Sequence, residues 1–182
     1  MNSSLMSFDS GQILLVSEAL AVAEELVAQA YKLSAGRWGR YHYDLKTLSQ
    51  LVAREISHQH FAQIFRYQGQ KSGASLSSDS FDFYKICIMD HVILSALERN
   101  EGLLLFPVAL YITCHELVHI VRFASFLQAF DTVEQARNAE EALVHAKTRE
   151  ILAPVRIKGL ALVMDYFKTH AADGPVQEGP VS

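Results

Sequence analysis

Cysteine is scarce, with only Cys87 and Cys114 among 182 residues. The two show no close pairing pattern, so no disulfide framework is expected and a reducing, cytoplasmic setting is the default. No basic stretch followed by a cleavable apolar segment opens the chain. Charge of one sign is also lacking. A net charge of −4 gives no electrostatic case for nucleic acid or an anionic membrane as partner. There is no internal repeat and no convincing strand, so the expected fold class is all-α. Half of the residues are apolar, enough for one domain with a substantial core and short for two.

The periodicity predicts a single-domain bundle of five to six helices over residues 12–170, between a flexible stretch at 1–11 and a disordered tail at 171–182. The first helix spans 12–33, with Leu15, Ala19, Val22 and Leu26 at helical spacing. Residues 34–43, rich in glycine, arginine and aromatic groups, are read as a packed connection. Asp44 is placed as the N-cap of a second helix at 45–67, followed by a Gly/Ser-rich link at 68–80. Residues 81–99 make a third helix, apolar on most sides. A fourth occupies the apolar run 103–130, with Pro107 in its first turn. A fifth, capped by Asp131 or Thr132, runs to Ala153 before Pro154, and a sixth segment covers 155–169.

The 103–130 run approaches membrane-spanning length, but His115, Glu116, His119 and Arg122 fall in its second half, so a buried central helix is expected and no membrane span. Those polar groups need a reason. His115-Glu116-Leu117-Val118-His119 sets two imidazoles one turn apart on one helix face, with the carboxylate about 100° round. A bare buried carboxylate is expensive, and a zinc ion resolves the cost: two neutral imidazoles as ligands, an open position for water, and Glu116 as the general base.

These five residues, with uncharged flanks from Ile112 to Val121, resemble the HExxH motif of zinc metallopeptidases. The resemblance covers about ten residues. Arg122 and Ser125 stand where the metzincin branch has glycine and a third histidine, which excludes that branch. The gluzincin branch takes its third ligand from a glutamate on a following helix, and Glu141 is the closest match. Glu140 replaces the asparagine usual before it, and His145 replaces the acidic group usual one turn later, so His145 either orients a ligand or is one. The resemblance implies a zinc-dependent hydrolase, with His115, His119, Glu141 and His145 as the metal set, Glu116 as the catalytic base and a peptide as substrate. Such peptidases usually hold substrate along an edge strand, and the sequence shows none.

Two other readings stay open. A ferritin-like dinuclear iron or manganese site would combine Glu55/His58 and Glu116/His119 with Glu24 or Glu25 and with Asp90. A non-enzymatic helical interaction module would use its buried His/Glu cluster for a structural metal. Glu24 and Glu25 are otherwise a solvated face, Glu55/His58 a core pair, and Asp90 and His91 part of an internal polar network. Tyr111, one turn before His115, is a core tyrosine with a hydroxyl that could meet an oxyanion. Glu141, His145 and Thr148 share a stripe, and association with a second copy of the chain is left open.

Overall fold

The Asp9 carboxylate accepts from the Gln12 backbone N–H (2.8 Å), and the Gln12 side chain accepts from the Asp9 N–H (2.9 Å). This reciprocal cap starts α1, Ser10–Ala30. The structure is a computed structural model that describes residues 5–70, 80–125, 134–170 and 177–178. Just before the cap, Phe8 is buried and donates its N–H to Asp90 at 2.9 Å. Ordered chain therefore extends back into the 1–11 stretch expected to be flexible. α1 buries Val16, Ala19, Ala23 and Val27, a stripe rotated from the expected one, so that Leu15 is 37% exposed. Small alanines on this face let α1 lie close along the central helix.

The all-α expectation is wrong: the chain is mixed α/β. A short α2 (Ala35–Trp38) leads into β1 (His42–Lys46), where Asp44 is a strand residue and not a helix cap. Two 3-10 turns, Leu48–Gln50 and Ala53–Glu55, precede β2 (Ala62–Gln70). The expected second helix at 45–67 is thus strand, turns and strand. The expected third helix at 81–99 divides into β3 (Ser80–Ile88) and α3 (Asp90–Arg99). β4 (Gln177–Glu178) pairs parallel with β2 inside the tail expected to be disordered, while 171–176 and 179–182 lie outside the described residues. The sheet order is β1-β3-β2-β4, with β2 antiparallel and β1 parallel to β3.

The sheet is covered on both faces, which explains why no alternation announced it. Ala62, Ile64, Tyr84, Ile86 and Ile88 face the main core. On the reverse face Phe65 and Cys87 join Met89 in a second cluster, closed by Leu51, Ile56 and Tyr67. The two 3-10 turns carry this cover and bring a carboxylate with them.

Glu55, 2% exposed, receives two bonds from the Lys85 ammonium (2.7 and 2.8 Å) and one each from the Val52 N–H and the Tyr67 hydroxyl. Burial alone would raise its pKa; the lysine, the N–H and the hydroxyl outweigh it and hold the carboxyl below the usual range. A depressed folded pKa stabilises the fold above the unfolded carboxyl pKa of about 4.3 and loses that contribution as pH falls through the lower folded value. Lys85→Met strands the carboxylate and is expected to cost about 3 kcal/mol at neutral pH. Urea unfolding of both proteins at pH 7 and pH 3 checks this: the gap between them must narrow on acidification.

The central helix α4, Leu105–Ala124, begins two residues before Pro107 and is buried on nearly every side. It is long and apolar enough to cross a membrane, but 89% of its apolar window is buried inside the fold by α1, the sheet and the later helices. α5 (Glu134–Leu152) ends two residues before Pro154. The caps expected for it at Asp131 and Thr132 lie outside the described residues. α6 is shorter than the expected 155–169 segment, covering Leu160–Tyr166. Its N-cap, Gly159, has φ +85°, and a Cβ there would come within 3.3 Å of Leu104, so glycine suits both backbone and packing.

Candidate metal centre

The central helix places His115, Glu116 and His119 in the interior at 0 to 1% exposure. α5 supplies the opposing wall. One Glu141 oxygen is 3.4 Å from His115 Nε2 and the other is 3.2 Å from His119 Nε2. The His115 and His119 rings lie 4.9 Å apart. The carboxylate therefore spans the two imidazole tips.

His145, one turn beyond Glu141, joins the cluster: ligand atoms of His115, Glu141 and His145 fall within 4.8 Å of one another. Its ring centroid is 4.4 Å from that of His115. Tyr111 Oη lies 2.9 Å from His145 Nδ1, which fixes the ring and turns Nε2 into the nitrogen available for coordination or proton exchange. Tyr111 is fully buried and stacks on Phe167 at 4.4 Å. It is thus a core tyrosine whose hydroxyl orients an imidazole.

Glu116 is near enough to Cys87 on β3 to raise its pKa electrostatically, although burial is the main cause of that rise. Burial pushes the Cys87 and Cys114 thiols up to about 12. Both stay protonated at neutral pH and offer no thiolate to a metal.

Several other sequence candidates are not brought here. Glu55 is held by Lys85, Glu24 accepts from the Tyr43 hydroxyl, and Asp90 accepts from the Phe8 and Leu48 N–H groups at 2.9 Å each. Burial pushes the Asp90 carboxyl up, with those N–H bonds opposing the shift. His58 and His91 pack against each other at 5.3 Å. The Glu55/His58 pair is not on a helix at all, because that stretch is a 3-10 turn and loop. Thr148 shares the α5 stripe but bonds back to the Val144 carbonyl. The expected four-helix array of ligands for a dinuclear site is therefore not assembled.

Two contributors were not singled out from sequence. Arg122 forks onto Glu140, both largely buried, with Nη2 to Oε2 at 2.9 Å and a second bond from Nε to Oε1. This bidentate pair joins α4 to α5 directly beside His119 and Glu141. Phe123, one turn after His119, stacks on its ring at 5.8 Å and on Tyr84 at 6.2 Å. A basic residue in the last turn of an apolar helix was the available signal for the first; nothing in the sequence marked the second.

Compared with known proteins, the chain matches no family model, no curated protein and no solved structure.

Proposed function

We propose that the protein is a zinc-dependent hydrolase acting on a peptide or amide bond, with His115, His119 and Glu141 as the zinc ligands. The observation that carries this reading is the pair of 3.2 and 3.4 Å separations between Glu141 oxygens and the two Nε2 atoms. Neighbouring donors on a tetrahedral zinc at about 2.0 to 2.1 Å lie about 3.3 Å apart, and each imidazole stands at that separation from its own Glu141 oxygen, so the carboxylate would turn one oxygen to the ion when it binds. Two nitrogens and an oxygen are also a donor set that zinc accepts.

Bound zinc supplies Lewis acidity, polarising a carbonyl and lowering the pKa of water. Glu116, beside His115 in sequence and screened from solvent, is the base that takes a proton during attack. His145, oriented by Tyr111, holds a proton at Nε2 for a developing oxyanion or leaving amine. Glu141 and His145 form the solvent-reached side of the cluster, since both are partly exposed.

The edge strand that sequence reasoning lacked is supplied by β1. A cleft of about 190 Å³ lies between its start and the end of α4, lined by Arg40, Tyr41, His42, Tyr84 and Phe123 among others. An extended peptide pairing with β1 would lay side chains there, beside the aromatic group that stacks on His119.

A second reading follows from His145. If its Nε2 is a fourth protein ligand, the coordination shell closes and the metal is structural. Elemental analysis of protein purified without added metal is expected to give one zinc per chain, and cleavage of a peptide library followed by mass spectrometry should be abolished by chelation. Absence of stoichiometric metal sinks both readings. One zinc with no cleavage, and X-ray absorption showing three imidazoles, selects the structural one.

A further inference from the structure

A larger cavity lies away from the metal ligands, where residues 58–61, α3 and the end of α6 meet. Its volume is about 740 Å³. The ionisable side chains that line it are His58, His91, Arg99, His170 and Tyr166, with no aspartate or glutamate among the lining residues. Asp90, the residue before His91, has both oxygens engaged by the Phe8 and Leu48 N–H groups. His91 is only 9% exposed, and apart from the Ser57 backbone that approaches its ring neither ring nitrogen completes a hydrogen bond among the described residues. A buried polar group left in that state costs free energy that a ligand could recover.

The remaining groups show what kind of ligand fits. Arg99 is exposed at the rim and carries a guanidinium suited to planar or tetrahedral oxyanions. His170 is fixed by stacking on Tyr166 at 4.0 Å, and its Nδ1 lies 2.9 Å from the Tyr166 carbonyl oxygen. Phe61 and Tyr166 meet edge to face at 6.2 Å and, with Val92 and Ala96, give the cavity an apolar wall. The only described group of three metal-type side chains close enough to share an ion is at the other centre, so the histidines here do not form a second metal site.

We propose that this cavity binds a small aromatic anion, its carboxylate or phosphate held by Arg99 and the imidazoles and its ring against Phe61 and Tyr166. Burial and the neighbouring His58 hold the His91 imidazole below its ordinary pKa, and an anion placed against it would favour its protonated form.

Isothermal titration of the full chain with phenyl phosphate and, separately, with phenylacetate tests this. At least one is expected to bind with a dissociation constant of about 1 mM or tighter. The arm that binds identifies the anion. Arg99→Ala, an exposed change, should weaken binding by about tenfold, and His91→Gln should also weaken it. Arg37→Ala, on α2, should leave binding unchanged, and zinc content should be unchanged in all three. No binding of either probe, or equal binding by Arg99→Ala and the parent protein, or an equal loss in Arg37→Ala, overturns the assignment.

Discussion

Glu116→Gln is expected to retain one zinc per chain and to lose peptide hydrolysis by about 10²- to 10⁴-fold, the usual worth of a positioned general base. The substitution keeps the size of a side chain that is 1% exposed, so folding is unaffected by volume. It removes the carboxylate proposed to accept a proton and leaves the His115, His119 and Glu141 side chains in place. Metal content and steady-state cleavage of the same peptide, measured side by side, separate the roles. Hydrolysis at the parent rate with metal retained would take Glu116 out of the chemistry.

His119→Ala should lose the metal as well as the activity. The His119 imidazole is fully buried, faces a Glu141 oxygen at 3.2 Å and is stacked by Phe123. Its removal is expected to weaken zinc by more than about a hundredfold, beyond the loss typical of an outer-shell partner. At zinc about a thousandfold above the dissociation constant, binding stabilises the folded chain by about 4 kcal/mol. That corresponds to roughly 10 °C in melting temperature for a chain of this size. Thermal melts with and without zinc should show the rise in the parent protein and no rise in His119→Ala. An equal zinc-dependent rise in both would refute His119 as a ligand.

The residues of the candidate cluster stood out in the sequence because each helix carries its share within one or two turns. Three polar groups inside an apolar run fix the α4 face by helical geometry, and Glu141 and His145 repeat that logic on α5. The sheet was not legible for a related reason. In β2 and β3, Ile64 and Ile86 point to one core while Phe65 and Cys87 point to another. With both faces buried, the two-residue period vanishes and the run resembles the interior of a helix. What covers the second face is a turn segment with weak periodicity, anchored by a Glu55–Lys85 pair that is distant in sequence. Loss of β1, β2 and β3 from the expected fold also hid the edge strand that a peptide would need.

Adjacent glutamates on α5 make separate attachments to α4: Glu140 answers Arg122, and Glu141 answers the two imidazoles. Successive residues on a helix point about 100° apart, so one rotational setting of α5 meets both demands and a turn in either direction breaks at least one. The guanidinium thus acts as an indexing stop for the angle at which the Glu141 carboxylate meets the imidazoles. An inversion that placed glutamate at 122 and arginine at 140 would keep that stop. Reversing either charge alone would let the helix roll away from the histidines.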